Sequence, residues 1–407
     1  MAISERPQAG TVDTQRRAVL LTSATFSQFG ASVMQQGTFV LGVFIAAAYG
    51  LSLSRMALTL SALTLGMMVS GLVTGGLVDR WGPRRVLFVG SLTLAALGVC
   101  VAISPSLPVT TALLFALGVA IGTIPLSGVK VILRLWPLER RGLPMGVRQM
   151  GVPLGALAAA LILPTVASHT GFQPVYLGFA ALAGVGGLVF WALLPPETDH
   201  HAASIARRSA PRQTSRLLAP GACGFLLAWG QYTLITYTIP MLRGLGFSVV
   251  LAGALLACAQ LGGAIARMAL GALSDRMGGR RDQALLGVTA LGVALAVALA
   301  YLPRGLPIWA LAALWLALGV AYIGWNALAV TWAGERVAEA RAGAAMGLET
   351  SAILAGAAVS APIFGFVAEI SHGYRDAWLT LAAALTLALL LLWTQARRPA
   401  AASYTEE

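Results

Sequence analysis

Residues 75–85 read GGLVDRWGPRR, and residues 271–281 read GALSDRMGGRR. Gly75, Asp79, Arg80, Gly82, Arg84 and Arg85 recur as Gly271, Asp275, Arg276, Gly278, Arg280 and Arg281, at a constant offset of 196 positions. Self-similarity at a fixed offset means that the chain builds one structural unit twice. The residues around the two copies say what kind of unit it is. Hydrophobic residues make up 58% of the 407-residue chain, charged ones 10%, and the mean hydropathy is +0.80. So little polar surface cannot cover a water-soluble core. The chain reads as an integral membrane protein.

A hydrocarbon core about 30 Å thick takes roughly 20 apolar residues per helix. Twelve segments fit, near 18–41, 54–78, 85–105, 108–134, 143–166, 172–195, 217–242, 248–273, 283–302, 306–332, 342–368 and 374–396. The runs are continuous and rich in Ala and Leu, without period-two alternation, so helices are expected rather than a barrel. The net charge of +12 follows the same layout. Arg80, Arg84 and Arg85, then Arg140 and Arg141, then Arg207, Arg208, Arg212 and Arg216, then Arg276, Arg280 and Arg281, then Arg336 and Arg341, all fall in alternate loops. Only Arg55, Arg243, Arg304 and Arg375 fall in or beside the other loops. The positive-inside rule then places both termini in the cytoplasm, and the charge is no sign of nucleic-acid binding. The first 17 residues are polar and show no cleavage pattern before the first apolar run, so no removable signal is expected.

The longest polar stretch, PETDHHAASIARRSAPRQTSRLLAP from Pro196 to Pro220, separates six helices from six. The expected organisation is a cytoplasmic tail at 1–17, a six-helix bundle at 18–195, a linker at 196–216, a second bundle at 217–396 and a tail at 397–407. His200 and His201 read as solvated linker residues without further ligands. Cys100, Cys223 and Cys258 have no metal-ligand spacing and read as buried apolar fillers, so no metal, disulfide or cofactor is expected. A second correspondence supports the division. RGLPMGVRQ at 141–149 aligns with RAGAAMGLET at 341–350 through Met145, Gly146 and Met346, Gly347, which sets Arg148 against Glu349.

GGLVDRWGPRR resembles the loop signature of the major facilitator superfamily, and the layout of two six-helix halves resembles that family over nearly the whole chain. The resemblance implies an all-α membrane fold of twelve transmembrane helices in two pseudo-symmetric bundles, rocker-switch alternating access and no ATP site. It also puts both motif copies at the cytoplasmic joint between the halves. A carboxylate such as Asp79 or Asp275 can accept from helix N-terminal amides or pair with an arginine, and the glycines permit tight turns. Asp79, Arg80, Arg84, Asp275, Arg276 and Arg280 are therefore the expected gating residues.

Charges at membrane depth are costly and mark cavities or partners. Arg267 lies within the eighth span, Arg148 and Glu349 one to two turns into the fifth and eleventh, and Lys130, the only lysine, near the inner end of the fourth. Lys130 reads as snorkelling to the headgroups. Arg148 and Glu349 read as gate residues, with substrate contact the competing reading. Arg267 with Gly271, Asp275 and Arg276 resembles the spacing in monocarboxylate and oxalate:formate carriers, in which the arginine contacts a substrate carboxylate. A guanidinium can hold a carboxylate through two parallel hydrogen bonds. The departure lies in the eleventh span. There the oxalate carriers have a lysine and this chain has Glu349, which argues against a dicarboxylate clamp.

The first, fourth, seventh and tenth spans carry no acid, which favours an anionic or neutral substrate over a cationic one. Gln28, Gln35 and Gln36 of the first span, Trp229, Gln231, Tyr232 and Tyr237 of the seventh, and Tyr322, Trp325 and Asn326 of the tenth are candidate lining groups. Helix-to-helix bonding is the competing role for each. GVPLG at 151–155 resembles the glycine-proline pattern of antiporters in the same superfamily.

The expectation is a monomeric multi-pass secondary transporter of a bacterial inner membrane. It would move a small organic anion such as a monocarboxylate, with Glu349 the candidate carrier of a coupled proton in a symport cycle. A proton-antiporting exporter of drugs or metabolites is the alternative. No paired carboxylates, metal cluster or activated nucleophile suggests an enzyme.

Overall fold

A computed structural model describes residues 14–135, 142–194, 214–303, 305–337 and 339–397. The tails, most of the linker with His200, His201, Arg207, Arg208 and Arg212, the loop arginines Arg140 and Arg141, and Arg304 lie outside the described residues. So do the side chains of Asp79, Met145, Arg216 and Arg341. Everything described is helix or short connection: α1 Thr14–Val40, α2 Gly42–Tyr49, α3 Leu53–Ala102, α4 Leu107–Ile121, α5 Thr123–Leu135, α6 Gly142–Gln149, α7 Gly151–Thr170 and α8 Gln173–Leu193 come first. The second set is α9 Thr214–Gly244, α10 Val249–Arg276, α11 Arg281–Ala300, α12 Ile308–Ile323, α13 Asn326–Gly334, α14 Glu339–Ile370 and α15 Arg375–Ala396.

Among the described residues, ten helical segments are long and apolar enough to cross a membrane, and α1 with α2 makes an eleventh across a 47° bend. The remaining long helix is α9, whose 31 residues include Gln231, Tyr232, Thr233 and Thr236, so its polarity rather than its length sets it apart. Large apolar side chains such as Leu58, Met268 and Phe366 stand more than half exposed on helix flanks, as hydrocarbon allows and water does not. Exposed Trp81 and Trp393 ring one end, and Tyr301 and Trp309 the other, as interfacial aromatic belts require. Cys100 corrects its expectation, being exposed on such a flank; Cys223 is buried and Cys258 half-buried.

Breaks in the helices have local causes. The fourth span divides into α4 and α5 at Gly122, three residues before Pro125, whose missing N–H leaves a carbonyl of the preceding turn unbonded. The fifth divides into α6 and α7 at Met150, three residues before Pro153, and the Val152 carbonyl in the first turn of α7 accepts from Ser32 Oγ of α1 at 2.8 Å. In that GVPLG stretch a Cβ on Gly151 would sit 2.8 Å from the Thr25 carbonyl, and one on Gly155 2.7 Å from that of Phe29. The glycines thus let α7 lie directly on α1. The tenth span divides into α12 and α13 at Gly324 and Trp325.

The duplication is visible in atomic contacts. Ser52 caps α3 and accepts from Arg55 N, and Ser248, at the same 196-residue offset, caps α10 and accepts from Leu251 N. Gly66 of α3 abuts the Phe115 carbonyl and Gly118 of α4 that of Leu63. In the second half Gly262 of α10 abuts the Leu316 carbonyl and Gly319 of α12 that of Ala259. No side chain fits at any of the four positions, so each glycine fixes a close helix crossing.

Within the first half α3 packs on α4, α5 and α8, and α1 on α7 and α8; within the second, α10 packs on α12, α9 on α14 and α15, and α11 on α15. The halves meet where α14 runs along α3, α10 along α7, and α1 against α9.

Candidate functional site

Each motif copy sits at a helix junction that only glycine accommodates. Gly82 interrupts α3 at φ 79°, and Gly278 and Gly279 close α10 at φ 72° and 78°. Beyond the turns, the paired arginines Arg84 and Arg280 do the same thing. Arg84 donates to the Trp191 carbonyl of α8 at 2.7 and 3.2 Å, with its guanidinium 4.0 Å above the Trp191 ring. Arg280 donates to the Ala396 carbonyl of α15 at 2.6 Å. Each thus ties the third helix of its half to the C-terminal end of the sixth, where carbonyls lack intrahelical donors. Asp275 pairs with Arg281 at 2.5 Å; Arg281 also reaches Glu335 at 3.3 Å and bonds Ser274. Arg80 and Arg276 are exposed. These described partners all belong to the same half as the residue they hold.

Arg148 and Glu349 are both buried, and their surroundings differ. Arg148, on α6, donates at 2.7 Å to Gln28 Oε1 of α1 and at 2.7 Å to the Pro125 carbonyl in the first turn of α5. Its guanidinium lies on Gly128, where a Cβ would meet Arg148 Cζ at 2.9 Å. Glu349, on α14, faces Gly224 of α9, where a Cβ would collide with its Oε1, and that oxygen has no hydrogen-bond partner among the described residues. Gly224 stands 196 positions after Gln28. The repeat therefore supplies an amide to the arginine and a bare glycine to the carboxylate. Lys130 is half-buried in α5.

The structure gathers three of the expected lining residues. Arg267 of α10 lies nine residues before the helix end at Arg276, about 14 Å along the axis at 1.5 Å per residue. It is close enough to Tyr232 of α9 to interact with it electrostatically, and Gln35 of α1 lies beside the Tyr232 side chain. Phe39 packs edge-on against the Tyr232 ring at 5.5 Å. On the same three helices several buried polar atoms have no hydrogen-bond partner among the described residues: Gln36 Oε1 of α1, Trp229 Nε1 and Gln231 Oε1 of α9, and Arg267 Nε of α10. A donor or acceptor buried without a partner marks a place where water or a ligand belongs. The position that matches Arg267 in the first half is Gly71, while the flanking contacts match one another. The scaffold is complete without this cation.

Other expected lining residues serve packing. Tyr237 donates to the carbonyls of Ala361 at 2.8 Å and Leu53 at 3.3 Å. Tyr322 donates to the Gly292 carbonyl of α11 at 2.8 Å, pointing away from the first half, and Trp325 Nε1 donates to the Tyr322 carbonyl at 2.8 Å. Asn326 is half-buried at the start of α13. A separate groove of about 450 Å³ between α3 and α4, lined by Leu77, Trp81, Val89, Phe115 and Val119, is apolar and shares none of the residues around Arg267.

Sequence reasoning missed a contact between the halves. Glu369, at the end of α14, accepts from Ser54 N at 2.7 Å and Ser54 Oγ at 2.8 Å, 315 residues away. The Ser52 cap signals a helix start, but no local pattern announces a carboxylate from so distant a segment.

The profile of the Major Facilitator Superfamily matches residues 23–348 and 221–407. An uncharacterised MFS-type transporter of Mycobacterium tuberculosis strain H37Rv is 32% identical over 308 residues, 74% of this chain and 68% of that protein. The counterpart from strain CDC 1551 is 31% identical over the same shares. Among solved structures, a bacterial homologue of the human lysosomal transporter Spinster, inward-facing and unoccupied, superposes with a TM-score of 0.79 at 14% identity, over 95% of this chain and 98% of that one. The nucleoside transporter NupG superposes with a TM-score of 0.74 at 14% identity, over 93% and 100%.

Proposed function

This chain belongs to the major facilitator superfamily and is a transporter of that family, and from that premise we propose that it carries a small organic anion by alternating access. The observation that supports this substrate class is Arg267. It is a guanidinium at membrane depth, with a buried unpartnered Nε, placed where the other half has Gly71. A cation kept there at a desolvation cost needs an anionic partner for at least part of the cycle. A carboxylate can take two of its N–H groups at once, while the Tyr232 hydroxyl and the amides of Gln35, Gln36 and Gln231 orient the remainder. A monocarboxylate fits best, since Glu349 supplies no second cation. In this reading the membrane is a bacterial inner membrane, the arginine-rich loops face the cytoplasm and the bundles occupy 18–195 and 217–396. Glu349 binds the coupled proton, which cancels its charge while the halves rock.

The test is a thermal-shift screen of purified protein against monocarboxylates, dicarboxylates, nucleosides and neutral drugs, with wild type and Arg267→Ala side by side. A ligand present at 100 times its Kd stabilises the folded state by about 2.7 kcal/mol and raises the Tm accordingly. Stabilisation by a monocarboxylate that disappears in the variant is the expected outcome. Stabilisation by nucleosides or neutral drugs alone, equal in both proteins, rejects the anion reading. It would favour the exporter, for which the direct packing of the GVPLG stretch on α1 is the supporting observation.

A further inference from the structure

The seam between α3 and α14 is bonded at several levels. Ser61 Oγ donates to the Ala358 carbonyl at 2.8 Å, Tyr237 of α9 bridges the carbonyls of Leu53 and Ala361, and Ser54 holds Glu369 with its amide and hydroxyl. Between Ala358 and Glu369 these contacts run eleven residues along α14, about 16 Å. All lie toward the end of the molecule opposite the arginine-rich loops. On the other flank, Gly253 of α10 lies against α7, where a Cβ would stand 2.6 Å from the Ala160 carbonyl and 2.5 Å from Pro164 Cγ.

We propose that Glu369 is the latch of a gate at this end, its carboxylate clamping the N-terminus of α3 across the junction of the halves. The first turn of a helix presents amides with no intrahelical acceptor and the positive end of the helix dipole. A carboxylate delivered by the other half satisfies those amides only while the halves are in contact there. Ionised acceptors make the stronger hydrogen bonds, so this contact outweighs the neutral ones deeper in the seam. When the end opens, the carboxylate and the helix terminus both pass to water, which can solvate them without the cost that an apolar interior would impose. The latch is thus strong enough to hold and reversible enough to cycle. It rests on the transport reading in one respect, that a closed end must open during the cycle.

The test places spin labels at Ile103→Cys and Leu245→Cys, exposed at this end on opposite halves, in a background with Cys100, Cys223 and Cys258 replaced. Distances are measured without substrate for the parent, for Glu369→Gln and for Gly253→Ala. Wild type should show mainly the short distance. Glu369→Gln keeps the shape and loses the charge, and should raise the ratio of long to short distances by about tenfold, the worth of one charge-assisted hydrogen bond. Gly253→Ala should raise it as well, by wedging the other flank. If Gly253→Ala responds and Glu369→Gln does not, the latch is wrong and alternating access stands. If neither responds, both ideas fall. Should Glu369→Gln not fold, Ser54→Ala removes one donor from the same carboxylate and is read by the same criteria with a smaller rise.

Discussion

Arg148 and Glu349 show how much a single side chain's meaning depends on what faces it. The alignment of the two halves pairs them, and the expectation of symmetric gate residues rests on that pairing. Arg148 bonds Gln28 and the Pro125 carbonyl through one guanidinium nitrogen, its Nε remaining unbonded among the described residues, and this makes it a brace between α1, α5 and α6. Glu349 faces Gly224 and leaves an oxygen unbonded. In the proposed cycle this carboxylate, which no described residue bonds at Oε1, binds the coupled proton, whereas Arg148 braces the helices around it. Glu349→Gln should therefore uncouple transport from the proton gradient. In proteoliposomes the variant should still exchange substrate down its own gradient but lose accumulation driven by an imposed pH difference. Full proton-driven accumulation in the variant would remove Glu349 from the coupling role. By contrast Arg148→Ala strips the bonds from Gln28 and the Pro125 carbonyl, and its effect would register first in stability. Which residues these were was readable in sequence; which of them had a partner was not, because Gln28, Pro125 and Gly224 come from other helices.

At the scale of elements, the motif copies are joints first. Their glycines take backbone angles denied to other residues, and Arg84 and Arg280 then fasten α3 to α8 and α10–α11 to α15. The expectation assigned gating contacts to these loops. It missed that the two arginines point into their own half, since only the packing of the sixth and twelfth helices brings a free carbonyl into reach. Arg84→Ala and Arg280→Ala should each cost about 1 kcal/mol, the size of a typical interhelical hydrogen bond in a membrane protein. Thermal unfolding in detergent should show a lowered Tm for both, with ligand affinity unchanged. A loss of affinity with no change in Tm would contradict the clamp. The broken spans were legible in part: Pro125 and Pro153 announce interruptions, while the break at Gly324 and Trp325 carries no proline and emerges only from the packing of α12 and α13.

For the whole molecule, duplication predicts equivalent consequences at equivalent places. Gly118 and Gly319 each lie against a backbone carbonyl of the neighbouring helix in their own half. Gly118→Val and Gly319→Val should destabilise the protein to a similar degree, about 1–3 kcal/mol each from overpacking, measurable as matched falls in Tm. Strongly unequal falls would mean that the halves do not share one packing scheme. The duplicated scaffold also makes its exceptions informative. Arg267 against Gly71, and Glu349 in the register of Arg148, are two places where the halves differ in charge, and they are the residues the proposed transport cycle uses.

By itself the sequence determined the membrane setting, the helical class, the two-fold repeat and the short roster of charges at depth, because each follows from composition, periodicity or a repeated motif along one chain. The tertiary structure decided which of those residues converge. It brought Gln35, Tyr232 and Arg267 together from three helices. It turned Tyr237 and Tyr322 toward backbone carbonyls, and it carried Glu369 to a helix terminus 315 residues away. The physical reason is that local pattern fixes which face of a helix is polar, whereas the partner that a polar group meets is set by the crossing of helices far apart in the chain.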